Sequence, residues 1–134
     1  MKKLLLLVIM LFSLSFVNAQ DAGKLTGKWK GSYNCRQGDT GLTMKIKGNS
    51  NGEFTGTFKF YPIPSNKDPL VKSGKFSFTG KYTSSGKIIF TQNKWIKQPL
   101  NYLMIDLEGE LTDDNTINGH STTDGCGSFK VIKQ

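Results

Sequence analysis

Three carboxylates at strand spacing are the first candidates for acid–base chemistry. Asp106, Glu108 and Glu110 alternate with apolar or small residues, so they share one side of an extended segment. Two carboxyl groups that face each other can act as general acid and base. However, alternation with an apolar row is typical of a strand with one buried and one solvated face. We therefore expect the three carboxylates on a solvated outer face, and the sequence does not predict an enzyme.

His120 is the sole histidine of the sequence. Ser121 and Thr122 follow it, but consecutive residues of a strand point to opposite faces, which argues against a nucleophile–histidine pair. A structural zinc site needs about four nitrogen, sulfur or carboxylate ligands. With 1 histidine and 2 cysteines, the chain is not expected to bind a metal ion or another cofactor.

A binding site has more support than a catalytic one. Aromatic residues occur at predicted strand ends and in two proline-bearing segments, residues 61–69 and 92–99. If these segments flank one mouth of the fold, their rings provide apolar walls with a few polar contacts, as small-ligand sites do. The candidate ligand-binding residues are Tyr33, Arg36, Phe60, Tyr61, Trp95, Gln98 and Tyr102.

A filled interior is the alternative to an open mouth. Small barrels of eight strands are often filled by their own side chains. In that case function would lie on the loops or on the outer surface. The residues that would fill the interior are Trp29, Phe54, Phe58, Phe76 and Phe78.

The first 19 residues have the pattern of a secretory signal peptide. Lys2 and Lys3 precede an apolar run at residues 4–12, and a small-residue cleavage site ends at Ala19. The run is shorter than the roughly 20 residues that span a bilayer, so no membrane span is expected. We expect residues 1–19 to be removed and residues 20–134 to form a single domain that is secreted or periplasmic.

The chain is basic, with a formal net charge of +8. Its lysines occur singly along the predicted strands rather than in runs. We interpret the charge as a basic solvated exterior and do not expect a nucleic-acid partner.

Alternation of apolar and polar residues predicts eight strands with short connections and no amphipathic helix. Residues 92–101 break the alternation after a short fifth strand at 87–91. The sixth strand is predicted to have an inward row that includes Leu103 and an outward row that includes Tyr102. The other predicted strands are residues 25–35, 42–46, 54–60, 71–82, 116–122 and 126–133.

Eight strands without crossover helices predict an antiparallel, up-and-down β-barrel, with a β-sandwich as the runner-up. In such a barrel the first and last strands are neighbours. Cys35 ends the first and Cys126 begins the last, so the two cysteines would meet at one rim. An oxidising compartment favours a disulfide there. It would close a loop of about 90 residues and contribute on the order of 4 kcal/mol to stability.

Two segments resemble the avidins, which belong to the calycin barrels together with lipocalins and fatty-acid-binding proteins. Residues 25–29, Leu-Thr-Gly-Lys-Trp, are similar to the opening strand of these barrels. Residues 49–58, Asn-Ser-Asn-Gly-Glu-Phe-Thr-Gly-Thr-Phe, are similar to the second hairpin of avidin. The resemblance implies an eight-stranded barrel with a ligand site at one mouth.

The biotin contacts of the avidins are not retained. Gly31 and Cys35 stand where avidin has an Asn and a Ser, and Phe58 and Phe60 stand where it has a Tyr and a Thr. Phenylalanine cannot hydrogen-bond to a urea group. Biotin binding by the usual contacts is therefore not expected.

Two functions remain open from the sequence. The first is a secreted binding module for a small apolar molecule, held at the barrel mouth by Trp95 and residues 61–69. The second is a protein-interaction or inhibitor module that acts on a secreted partner through its proline-bearing loops.

Overall fold

A computed structural model of the chain describes residues 19–67 and 71–134, and it contains a closed barrel of eight antiparallel strands. Each strand pairs with the next in the chain, and β1 pairs with β8 to close the barrel. The predicted up-and-down barrel is confirmed. The strands are β1 Gly27–Cys35, β2 Gly38–Gly48, β3 Glu53–Tyr61, β4 Gly74–Tyr82, β5 Ile88–Lys97, β6 Leu107–Asp113, β7 Thr116–Ser121 and β8 Ser128–Lys133.

The predicted signal peptide, residues 1–19, lies outside the described residues except for Ala19. Residues 68–70, which include the end of the predicted loop at 61–69, also lie outside them. Within the two described ranges, none of the helical segments has the length and apolar character needed to cross a bilayer.

A short 3-10 helix, Ala22–Leu25, plugs one end of the barrel. The Asp21 carboxylate caps it by accepting a hydrogen bond from the Gly23 N–H at 2.8 Å. Leu25 is fully buried, and its carbonyl accepts from the Trp29 indole N–H at 2.9 Å. We call the end that carries this helix the plugged end. The opposite end, which we call the loop end, carries the connections β1–β2, β3–β4, β5–β6 and β7–β8.

Aromatic side chains pack the barrel interior. Phe58 and Phe76 stack with centroids 4.6 Å apart, and Phe78 and Phe90 meet edge to face at 5.2 Å. Each of these four rings is at most 2% exposed. Because these buried rings pack directly against one another, the interior is filled by the chain's own side chains. The filled-interior alternative predicts this arrangement.

The fifth strand is longer than predicted. It does not end at Thr91 but continues to Lys97, and its register against β4 shifts twice. The Ser77 hydroxyl lies 3.3 Å from both the N–H and the carbonyl of Lys94, so it satisfies backbone groups that the bulged ladder leaves unpaired. These irregularities remove the two-residue period from the sequence, which is why the strand was not predicted there.

The segment before β6 was predicted incorrectly. Leu103 was expected to point inward, but it is 79% exposed, and Tyr102 was expected to point outward, but it packs on the core. Regular strand begins only at Leu107. Residues 98–106 connect two strands, so the alternation of faces that applies to a strand does not apply to them. The fourth strand likewise begins at Gly74 rather than at residue 71.

Cys35 and Cys126 form a disulfide at the rim of the loop end, as predicted. Cys35 is the last residue of β1, and the Gly127 N–H donates to the Asn34 carbonyl at 2.7 Å beside it. The bond joins the end of β1 to the connection just before β8, because the last strand begins at Ser128 rather than at Cys126 as predicted. It is compatible with an oxidising compartment.

Candidate functional site

Three of the predicted ligand-binding residues form an aromatic cluster that covers the loop end. Phe60 is buried, and Tyr102 stacks on it with centroids 5.3 Å apart and planes 4° from parallel. Trp95 meets Phe60 edge to face at 6.1 Å and Phe76 at 5.6 Å. Trp95 and Tyr102 are half-buried, so they present one side of each ring to the core and leave part of the other accessible.

Tyr33 is part of the core rather than of an open mouth. It is 6% exposed, its ring meets Phe58 at 5.0 Å, and its hydroxyl accepts from the Gln37 side-chain amide at 3.3 Å. Burial, with the nearby Tyr102 phenol as a second cause, raises the pKa of Tyr33 well above its ordinary value of 10.0. It is therefore a neutral hydrogen-bonding group over the whole range in which the barrel is expected to work.

The remaining three predicted residues do not form a single cavity together with the aromatic cluster. The Tyr61 hydroxyl lies 2.8 Å from that of Thr43, on the outer wall of the barrel. Arg36 is exposed at the rim, with its guanidinium against Gly125. The exposed Gln98 donates from its side-chain amide to the Tyr102 carbonyl at 3.1 Å, which places it on the loop that carries the cluster.

Large apolar side chains project from the loop end into solvent. Ile96 is 56% exposed, Leu100 77% and Leu103 79%; we call these three residues the apolar tip. The turn between them is held by a hydrogen bond from the Tyr102 N–H to the Pro99 carbonyl at 3.2 Å. Sequence reasoning missed the tip because it assigned Leu103 to the inward row. The available signal was that two leucines, Leu100 and Leu103, follow closely after Pro99 in a segment where the alternation is interrupted.

A second concave surface lies on the outer wall across β1 to β4. It is a groove of about 480 Å³, which we call the lysine groove. Sequence reasoning missed it because each strand contributes only one or two lysines, and strand pairing alone brings them together. Its basic residues are Lys28, Lys30, Lys45, Lys59 and Lys75.

Two of the three predicted carboxylates, Glu108 on β6 and Asp106 just before it, lie on the opposite wall and have protein partners. Glu108 bonds to Lys87 at 2.9 Å and lies 3.7 Å from His120, its cross-strand neighbour on β7. The hydrogen bond from Lys87 holds the pKa of Glu108 below its ordinary value of 4.5. One oxygen of Asp106 accepts from the Gln92 N–H at 2.9 Å. Within the described residues, no three Asp, Glu, His or Cys side chains group as a metal site would require.

Comparison with known proteins supports the barrel fold and identifies no family. No model of a protein family matches the sequence, and no curated protein matches it. A redesigned β-barrel superimposes with a TM-score of 0.61 at 11% identity, over 87% of this chain and 96% of that one. A de novo designed fluorescence-activating β-barrel gives 0.56 at 13% identity, over 85% and 98%. At such identities the likeness shows the barrel alone and does not extend to the avidins or other calycins.

Proposed function

We propose that this chain is an exported binding module, without enzymatic activity, that contacts a protein partner through the loop end of its barrel. The observation that carries the proposal is the exposure of Leu100 and Leu103 on one structured turn. Neighbouring exposed apolar side chains with a polar surround are typical of interaction sites.

The apolar tip offers a substantial part of a binding energy. Burying a leucine side chain contributes about 1.5–3 kcal/mol. Because the turn is held by the Tyr102 to Pro99 hydrogen bond and by stacking on Phe60, little of this gain is offset by ordering the loop. The packed interior supports the same conclusion, because binding at the exposed loops requires no cavity inside the barrel.

The charges beside the tip indicate the partner's chemistry. Lys94 and Lys97 are exposed on β5, shortly before the turn. Lys72 lies in the neighbouring connection between β3 and β4, and its N–H donates to the Tyr102 hydroxyl at 3.1 Å. Complementary charge favours an apolar pocket rimmed by carboxylates on the partner. The disulfide supports a partner in the same oxidising, exported compartment.

A small apolar molecule is the second candidate, as the sequence first suggested. It is favoured by the half-buried rings of Trp95 and Tyr102, which could hold a flat apolar ligand against the loop end. A fluorescence-activating barrel among the structural neighbours is consistent with ligand binding by this fold. Such a ligand would lie on the aromatic cluster rather than deep in the barrel.

The test of the protein partner compares two matched variants. The protein is used to capture partners from the exported fraction, and each captured protein is purified and titrated by calorimetry. Leu100→Ser with Leu103→Ser should weaken its binding at least about tenfold. Ile132→Ser removes an apolar residue that is 46% exposed on β8 and should leave the affinity unchanged. Equal affinities for the wild type and the double variant would refute the proposal.

The second candidate is tested by native mass spectrometry of the protein from its own export route. A bound small molecule whose occupancy falls in Trp95→Ala, but not in Ile132→Ser, would support it. A bare mass for the native protein, or unchanged occupancy in Trp95→Ala, would exclude the aromatic cluster as its site.

A further inference from the structure

The lysine groove places lysines directly opposite one another on neighbouring strands, an arrangement that is unfavourable in a sheet. Lys28 lies directly opposite Lys45, and Lys75 lies between Lys59 and Lys97 in one cross-strand row. Like charges directly opposite each other on a sheet destabilise it. Three such pairs on one wall therefore carry a repulsion that a bound anion would relieve.

Among the described residues, no carboxylate lies within ion-pairing distance of these lysines to relieve the repulsion. In the described part of the chain, the side-chain ion pairs are Lys87 with Glu108 and His120 with Glu108. Both lie at β6, which is on the other side of the barrel from β2. The lysines of the groove and the ion-paired Glu108 therefore lie on opposite sides of the barrel.

Hydroxyl groups lie among the ammonium groups. Thr43 is 9% exposed at the floor of the groove, and its hydroxyl lies 2.8 Å from that of Tyr61. Thr57 and Ser73 add two further hydroxyls to the lining. A ligand seated here would therefore meet both cations and neutral donors and acceptors.

We propose that the lysine groove binds an acidic polysaccharide, a sugar polymer that carries sulfate, phosphate or carboxylate groups. The lysines would pair with its anionic groups, and Thr43, Thr57 and Ser73 would exchange hydrogen bonds with its hydroxyls. Cross-strand neighbours lie about 5 Å apart and alternate residues about 6.7 Å apart, so the cations form a grid rather than one focal point. A grid suits repeated charges along a chain better than a single small anion.

A nucleic acid is the less suitable polyanion. Proteins that hold single strands place exposed aromatic rings for the bases to stack on, between their cations. The one aromatic ring in the groove lining, that of Tyr61, is half-buried, and its hydroxyl is engaged by Thr43. Sequence reading of a duplex needs a protein element that enters a groove of the nucleic acid, and a concave barrel wall provides none.

The site is separate from the apolar tip, so the two proposals can fail independently. The probe is a fluorescently labelled heparin oligosaccharide, titrated in anisotropy at low and at physiological salt. Lys45→Gln with Lys59→Gln removes two charges from the centre of the groove. Lys81→Gln with Lys87→Gln removes two charges elsewhere and is the matched control, because the net charge falls equally.

We expect the groove pair to weaken heparin binding about tenfold or more and to flatten its salt dependence, because fewer counterions are released. The control pair should change the affinity by less than about threefold. Lys45→Arg with Lys59→Arg should retain binding, because it keeps both positive charges. Leu100→Ser with Leu103→Ser should also retain it.

Three results would overturn the proposal. Equal losses in the groove pair and the control pair would show that net charge alone attracts the probe. An absence of binding at physiological salt would show that the grid is not a site. Tighter binding of an unlabelled DNA oligonucleotide than of heparin, measured by competition, would assign the groove to nucleic acid instead.

Discussion

The ring of Tyr102 stacks on the ring of Phe60 with the two planes 4° from parallel and the centroids 5.3 Å apart. Phe60 belongs to β3, whereas Tyr102 belongs to the connection between β5 and β6. The Tyr102 hydroxyl also accepts from the Lys72 N–H in the connection between β3 and β4. One side chain therefore joins two loops to the packed interior, and it fixes the turn that presents Leu100 and Leu103.

Removing the Tyr102 ring should loosen the loop end. Tyr102→Ala is expected to lower the free energy of unfolding by about 2 kcal/mol, because the half-buried ring and its stacking contact with Phe60 are lost. Tyr102→Phe keeps the ring and should cost at most about 1 kcal/mol for the hydroxyl's hydrogen bond. Urea unfolding measures both. Equal losses in the two variants would assign the effect to the hydroxyl and contradict the role of the stack.

Breaking the rim disulfide should destabilise the barrel far more than its two small side chains would suggest. The bond joins residues separated by 91 positions. In the chain-entropy account, removal of such a link costs on the order of 4 kcal/mol, because the unfolded chain gains freedom. Cys35→Ala with Cys126→Ala should show this in urea unfolding. A thiol assay on the native exported protein should find no free thiol, and two free thiols would contradict the closure.

The regular parts of the barrel could be predicted because burial of one sheet face imposes a two-residue period. Trp29, Phe58 and Phe78 obey that period and are buried as expected. The cysteine pairing followed from the same argument, since antiparallel closure brings the ends of β1 and β8 together. A pattern of this kind states which face a residue occupies and which strands are neighbours.

The two candidate surfaces could not be predicted because neither depends on that period. The bulges opposite Ser77 hide the second half of β5, so the turn that follows it was misplaced. The lysine groove depends on register: Lys59 meets Lys75 only because β3 and β4 pair in one alignment out of several. A sequence without a known register cannot tell a spread of single lysines from a cluster.

The Glu108 carboxylate should give the barrel an acid-dependent contribution to stability. Its folded-state pKa is depressed, first by the hydrogen bond from Lys87, so the contribution is present above the ordinary pKa of 4.5 and is lost as pH falls through the lower folded value. Besides Lys87, the charged or titratable groups that line the surface cavity around Glu108 are Glu110 and His120.

The check is the melting temperature of wild type and Glu108→Gln from neutral pH to well below 4.5. The two proteins should differ at neutral pH and converge at the acid end. Glu110→Gln is the matched control, because it removes a carboxylate two residues along the same strand. A constant difference at every pH would show that Glu108 acts through packing rather than through its charge.

Lys75 and Lys81 lie on the same strand, but their cross-strand neighbours carry opposite charges. The pair therefore gives a test of the repulsion in the lysine groove. Lys75 is flanked by Lys59 and Lys97, whereas Lys81 is paired across the strand with Glu53. Lys75→Gln should therefore stabilise the protein at low salt by about 0.2–1 kcal/mol, and Lys81→Gln should destabilise it slightly. Salt at about 1 M should remove both effects, since it screens charges beyond roughly 3 Å. Urea unfolding at both salt concentrations makes the comparison. Loss of stability in both variants at low salt would mean that the row of lysines is not under electrostatic strain, and the motive for an anionic ligand there would disappear.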